Sequence, residues 1–221
     1  MNSKTLIVFD FDGTLYAGDS FAEYLRYQIR GSVWRSLLAL LVLPFAGPAL
    51  LLTRTRQPAA SLMLWIATLG LDERRLINGM EQFAYRRLQH PDGSGFFYAA
   101  IEQLRNHQRN GEQVVVATAA GEPLVKTLLR MHGVDVVVVG STLRRCCGGM
   151  ICDFYAYGLN KLKRLQDAGY PHGWSKAYSD SLKDLPLLSA AAEAVVINAS
   201  VNQRRQFQQA LSIPVTFIRW S

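Results

Sequence analysis

Short apolar runs alternate with amphipathic stretches along most of this chain. Leu6-Ile7-Val8-Phe9 is β-branched and aromatic with no polar break, the pattern of a strand covered on both faces. Val-rich runs recur at 113–118, 134–139 and 194–198, and further strands are predicted at 174–179 and 214–219. Helical periodicity falls between them, over 97–109, 122–131, 159–168, 182–191 and 202–211. Strand alternating with helix predicts an α/β fold built on a doubly wound parallel sheet. In such a sheet, functional groups collect at the C-terminal ends of the strands. Residues 142–157 interrupt the alternation and read as a small hairpin turned at Gly148-Gly149.

A longer interruption follows the first strand at once. Residues 16–90 read as all-helical, with a first helix capped by Asp19 or Ser20 and running to Arg30. The chain returns through His90-Pro91-Asp92-Gly93-Ser94-Gly95, a linker composition. The expected organisation is an α/β core of residues 1–15 and 91–221 with a helical cap of residues 16–90. Inside the cap, residues 33–52 are strongly apolar, and their length barely matches a bilayer core of about 30 Å. Pro44, Gly47 and Pro48 interrupt the run, and Arg35 sits inside one end. Arg26 and Arg30 flank one side, Arg54 and Arg56 the other. Three arrangements fit: a helical hairpin buried in the cap, a hairpin dipping into a membrane surface with its basic flanks on anionic headgroups, or a transmembrane span. Positive charge on both sides weakens the span, because orientation rests on a charge asymmetry. Residues 62–71 form a second greasy stretch suited to pack against the first.

Composition narrows the partners. A chain of 221 residues, 49% apolar, holds a packed domain with an insertion and is not disordered. Lys and Arg outnumber Asp and Glu by 24 to 17, a formal charge of +7 that favours phosphorylated metabolites or anionic lipid headgroups. The arginines are scattered and no nucleic-acid motif appears, so nucleic acid is not an expected partner. Cys146, Cys147 and Cys152 are odd in number and complete no zinc site, which suggests a reducing compartment. The first strand begins so early that no room for a signal peptide is expected.

Four polar clusters carry candidate chemistry. Asp10 and Asp12, at i and i+2 on extended backbone, leave the first strand side by side, and Gly13 permits a turn after them. Such a pair suits a nucleophile and a proton donor beside a divalent cation, although a bare pair would also make an ordinary acidic turn. Thr118 ends the second inferred strand, where a hydroxyl and the following helix amides can meet a phosphate, or where it can simply cap the helix. Lys161 opens a predicted helix and offers a compact positive charge, as a surface lysine also would. Asp180 and Asp184 lie one helical turn apart after a strand, able to share a cation or to serve the helix dipole.

Taken in order, these clusters resemble the four motifs of the haloacid dehalogenase (HAD) phosphohydrolases, in the branch with a helical cap after the first motif, to which phosphoserine phosphatase belongs. The resemblance implies that Asp10 takes the phosphoryl group and that Asp12 protonates the leaving alcohol and then activates water. It implies that Thr118, Ala119 and Lys161 bind the phosphoryl oxygens, that Asp180 ligates Mg²⁺ with Asp10 and the main-chain carbonyl of Asp12, and that Asp184 supports the metal. Asp19 stands near the place where that branch has a substrate-binding glutamate; Arg26 and Arg30 are further cap candidates. The chain departs from that branch at Thr118-Ala119-Ala120, where Ser-Gly-Gly is usual, and at Ser179-Asp180-Ser181-Leu182-Lys183-Asp184, where Gly-Asp-Gly-x-x-Asp is usual. Residues 21–27, 37–44, 61–70 and 178–181 are similar to bacterial phosphatidylglycerophosphatase C, a lipid phosphatase group of the same family. That similarity implies hydrolysis of phosphatidylglycerophosphate to phosphatidylglycerol at the cytoplasmic face of the inner membrane. A soluble small-metabolite phosphatase of the phosphoserine phosphatase type stays open beside it.

Overall fold

The computed structural model describes residues 5–90, 95–171 and 173–220. Of the linker expected over 90–95, residues 91–94 lie outside the described residues. Seven strands form one sheet in the order β4-β3-β2-β1-β5-β6-β7. β1 (Leu6–Asp10) is central, parallel to β2 (Gln113–Gly121) on one side and to β5 (Trp174–Ser179) on the other. β3 (Val137–Cys146) continues parallel beyond β2, and β6 (Ala191–Ile197) and β7 (Val215–Ile218) beyond β5. Only β4 (Gly149–Phe154), at the edge, is antiparallel. Nine α-helices are formed among the described residues, and the whole is the α/β architecture that the alternation predicts.

Both faces of the sheet are dry. Ile7 and Phe9 join Val114, Val116, Tyr178 and Val195 on one face, under Ile101 and Leu104 of α5 (Tyr98–Arg109) and Leu124 and Leu128 of α6 (Glu122–Met131). Val8, Val115, Ala177 and Val196 face the opposite way. They are covered by Leu165 of α7 (Leu159–Asp167), Leu187 of α8 (Leu185–Ser189) and Phe207 of α9 (Val201–Ala210). Burial on both faces explains why β1 and the Val-rich parts of β2 and β6 read as apolar runs, whereas β5 carries the half-buried Ser175 and Lys176.

Three expected elements differ in detail. The strand expected at 134–139 starts at Val137 and runs on to Cys146, because it passes from parallel pairing with β2 to antiparallel pairing with β4. The expected helix 182–191 is a 3-10 turn over Leu182–Asp184 followed by α8, and its last residue already belongs to β6. The β3–β4 hairpin turns on Cys147 and Gly148, one residue earlier than expected. Both have positive φ, 44° and 82°, as a two-residue hairpin with right-handed strand twist requires.

Between β1 and α5 stand α1 (Ser20–Arg30), α2 (Val33–Leu51), α3 (Thr53–Thr68) and α4 (Glu73–Leu88). α2 runs through Pro44 and Pro48, so the expected interruption is absent. The two prolines are one turn apart and both exposed, which puts their backbone defects on one open face. Burial of 33–52 within the cap is not what the structure shows: Val33, Phe45 and Leu51 are each 80% exposed, and Leu37, Leu40 and Leu41 are exposed with them. By length and composition α2 could cross a membrane; core helices of soluble proteins pass the same test but are mostly buried, unlike this one.

α3, by contrast, is seamed to the β3–β4 hairpin. Leu25, Leu64 and Ala67 pack with Leu143 and Met150. Trp65 Nε1 donates to the carbonyls of Cys146 and Cys147 at 3.1 and 3.2 Å. The Met150 amide donates to Thr68 Oγ1 at 2.8 Å, and the Gly70 amide to the Gly148 carbonyl at 2.9 Å. A Cβ on Gly149 would sit 2.7 Å from the Trp65 ring, so the seam closes only over glycine.

The two environments predict opposite mutational outcomes. Leu64→Ala should cost about 2–5 kcal/mol in urea unfolding, as cavity formation in a dry core does. Leu41→Ser should stay within about 0.5 kcal/mol. Comparable losses in the two would mean that α2 is packed against something in solution.

Candidate active site

The site grows from the C-terminal ends of β1, β2 and β5. Asp10 is the last residue of β1 and pairs in register with Ala117, so Thr118 stands one step beyond it on β2. Phe9 pairs with Tyr178, which brings Ser179 level with Asp10 and puts Asp180 just past it. The chain after Asp10 closes on itself: the amides of Leu15 and Tyr16 donate to the Phe11 carbonyl at 2.8 and 2.9 Å. Gly13 in that loop has φ +81°, and a Cβ there would lie 2.2 Å from a carboxylate oxygen of Asp180. Glycine is therefore required twice, for the backbone angle and for the space Asp180 occupies.

Lys161 is the hub. It is 4% exposed, and its Nζ lies 2.8 Å from Asp10 Oδ1 and 2.8 Å from Asp184 Oδ1. Ser179 Oγ donates to Asp184 Oδ2 at 2.8 Å. Both Asp184 oxygens are thus occupied by protein groups, whereas the Asp180 carboxylate lies against Gly13 and is close enough to Asp10 to raise its carboxyl. The Asp180 amide donates to Thr14 Oγ1 at 3.1 Å, tying the loop after β5 to the loop after β1. Thr14 and Ser179 were not singled out from the sequence. Both are hydroxyls fully buried beside acids, but a hydroxyl next to a motif carries no signal until its burial is seen.

Thr118 is fully buried, and its Oγ1 accepts from the Ala120 amide at 3.0 Å, so its own proton is free to be donated elsewhere. The Asp12 carboxylate accepts the Ser20 amide at 2.8 Å. Asp19 caps α1, accepting from the Ala22 amide at 2.8 Å. Asp12, Asp19, Ala119 and Arg26 line one cavity of about 640 Å³. Arg30 does not reach it; it faces a separate groove between α1 and α4. The cavity also contains residues that sequence reasoning did not assign: Tyr155, Tyr157 and Lys183, with Leu43 and Leu50 of α2.

The electrostatics follow from burial. Desolvation holds the Asp10 carboxyl well above the usual carboxylate range; Lys161 opposes this, while Asp184 and Asp180 add to it. Asp180 is raised by burial and by Asp184. Asp12 is pushed up to about 7, chiefly by burial, against the lowering effect of the Ser20 amide. Burial would depress Lys161, but Asp10 and Asp184 overcome it and hold the ammonium above its ordinary value. One ammonium thus faces Asp10, Asp180 and Asp184, and the cluster is short of positive charge. Among the described residues no three His, Cys, Asp or Glu side chains converge as a metal cage. A cation here would use the carboxylates of Asp10 and Asp180 and the main-chain carbonyl of Asp12, with water and substrate oxygens. That sparse set of hard oxygens fits Mg²⁺, which keeps waters and binds through one or two carboxylates.

This constellation on this sheet is that of a phosphohydrolase-type α/β fold, and the comparisons agree. Residues 7–189 match the haloacid dehalogenase-like hydrolase family, and the chain belongs to it. Over 117 residues it is 31% identical to a Mycobacterium tuberculosis protein named as a probable phosphatase; the match spans 50% of this chain and 40% of that protein. A Bordetella pertussis protein of unknown function superposes with a TM-score of 0.76 at 21% identity, over 97% of this chain and 99% of that one. A substrate-bound phosphoserine phosphatase superposes with a TM-score of 0.58 at 17% identity, over 97% and 94% of the two chains. At those identities the two structures speak for the fold.

Raised carboxyl groups make stability depend on pH. A carboxyl whose pKa is higher folded than unfolded stabilises the fold fully below its unfolded value, and that contribution is lost as pH rises through the folded value. For Asp12 the window runs from 3.8 to about 7. In chelator, urea unfolding should therefore show stability falling from pH 5 to pH 8, on the order of 2–3 kcal/mol from Asp12 alone. Asp180→Asn should raise stability at pH 8, and added Mg²⁺ should stabilise the parent but not this variant. A flat profile, or an Mg²⁺ response kept in the variant, would contradict the charge deficit.

Proposed function

We propose that this chain is a Mg²⁺-dependent phosphomonoester hydrolase working through an aspartyl-phosphate on Asp10, with phosphatidylglycerophosphate as its substrate. The observation that carries the reaction class is Lys161 bonded to Asp10 and Asp184 at 2.8 Å, at the strand ends where Thr118 and Asp12 also lie. In this reading residues 16–90 are the cap and the remainder is the core.

An Asp10 oxygen attacks phosphorus, forming a carboxylate–phosphorus bond as the bond from phosphorus to the alcohol oxygen breaks. Asp12, held by the Ser20 amide and raised to about 7, gives its proton to the departing alkoxide. The Asp12 carboxylate then takes a proton from water, which attacks phosphorus, releases inorganic phosphate and restores Asp10. Thr118 and Lys161 hold phosphoryl oxygens throughout. Mg²⁺, held by Asp10, Asp180 and the Asp12 carbonyl, would supply the charge that lets a carboxylate approach a phosphate anion.

Two features support a lipid. The cavity that reaches Asp12 is walled by Phe21, Leu25, Ile29, Leu43, Leu50 and Met63, a surface for acyl chains or their glycerol ends. α2 supplies two of those walls and presents Val33, Leu37, Leu40, Leu41, Phe45 and Leu51 outward, suited to lie in an anionic membrane surface at the cytoplasmic face. Phosphoserine fits less well. Its amine needs a free carboxylate, whereas Asp19 is engaged as a helix cap and Glu23 accepts from the Tyr16 hydroxyl at 2.6 Å.

The test is a phosphate-release assay with Mg²⁺ on phosphatidylglycerophosphate in mixed micelles, on phosphoserine and on other soluble monoesters. The lipid should be preferred, and Asp10→Asn should lower turnover by roughly a thousandfold or more. Activity confined to soluble esters would remove the lipid and keep the reaction class. Activity that survives Asp10→Asn would remove the mechanism.

A further inference from the structure

The cavity at Asp12 contains a pair of cations that the reaction at Asp10 does not use. Arg56 of α3 is held rigidly: its Nε donates to the Leu50 carbonyl at 2.9 Å, and its Nη1 donates to the Tyr157 hydroxyl. Its guanidinium carbon lies 5.0 Å from the centre of the Tyr157 ring. Lys183 Nζ lies 5.5 Å from the same centre. Tyr155 stacks parallel to Tyr157 at 5.5 Å, which stiffens the platform. No ion pair with a carboxylate is formed by Arg56 or Lys183 among the described residues. The two acids lining the cavity already accept main-chain amides, Asp12 that of Ser20 and Asp19 that of Ala22.

Two like charges drawn to one aromatic ring repel each other, and the neighbouring apolar walls strengthen that repulsion by excluding water. An anion in the cavity within reach of both would offset it. The pair is fixed to the site by connectivity: Lys183 precedes Asp184, which is bonded to Lys161. Arg56 is fixed by Tyr157, four residues before Lys161. Arginine with its planar donors and lysine with its point charge are the usual partners of phosphate oxygens.

We propose that Arg56 and Lys183, placed by Tyr157, form a second anion subsite that binds a negative group of the substrate other than the phosphate Asp10 attacks. The substrate class is thereby narrowed to a phosphomonoester with a second phosphate or phosphodiester a short linker away, beside the apolar walls. This rests on the phosphatase reading above. The chemistry is shared by the diester of a phospholipid and by the second phosphate of a soluble bisphosphate.

The test compares glycerophosphoglycerophosphate, which has two phosphates and no acyl chains, with glycerol 3-phosphate, which has one, and with the intact lipid in micelles. The readout is the ratio of kcat/KM between the two-phosphate and one-phosphate soluble esters, measured in each preparation so that any unfolded fraction cancels. Arg56→Gln and Lys183→Gln should each lower that ratio about tenfold or more, through KM. A ratio unchanged in both variants overturns the subsite. So does a loss seen only with micellar lipid, since the cations would then be meeting the membrane rather than the substrate. If the parent protein releases phosphate from none of the three, the failure belongs to the phosphatase reading itself.

Discussion

One buried ammonium ties together the C-terminal ends of the central strands. Lys161 comes from α7, Asp10 from the end of β1 and Asp184 from the turn after β5, three segments far apart along the chain. Burying a lysine is costly unless the charge is matched at close range, and burying two carboxylates without it would cost more. The two ion pairs therefore stand or fall as a unit, and Ser179 completes the second of them. Because β1 is the central strand, the same contact fixes the height of Asp10 relative to its neighbours on both sides. Among the described residues, Asp180 is left without an ammonium partner of its own.

Much of this was legible in the sequence, and for identifiable reasons. β1 and the Val-rich centre of β2 are buried on both faces, so their composition declares them, while β5 mixes Trp174 and Tyr178 with Ser175 and Lys176. Asp10, Lys161 and Asp184 lie at strand ends or helix starts, where position alone suggests convergence. What stayed hidden depends on pairing at a distance. β3 could not be bounded, because its second half is a strand only through β4. The segment after Asp180 looks like the start of one helix, but a 3-10 turn there swings Asp184 back to Lys161, and Pro186 opens a new helix behind it. Arg56 read as a flank of an apolar run. Its engagement with Tyr157, a hundred residues on, is a fact of the fold.

The helical insertion presents two surfaces of opposite character. α1 and α3 face inward, closing the Leu64 cluster and walling the cavity at Asp12. α2 is mostly open to the outside, with apolar side chains where a soluble protein would place charges. Its two exposed prolines show that continuity of a helix is decided by where the defects face as well as by their presence.

The seam between α3 and the β3–β4 hairpin has a consequence for how such domains are shuffled. Trp65 reads main-chain carbonyls of the hairpin turn, and Gly149 is small because that indole lies against it. The helical block is therefore not structurally portable by itself. A chimera that moved the helices to a foreign scaffold would leave the indole without its acceptors and Leu64 without its floor, so the edge ribbon of the sheet must travel with them as part of the same heritable module.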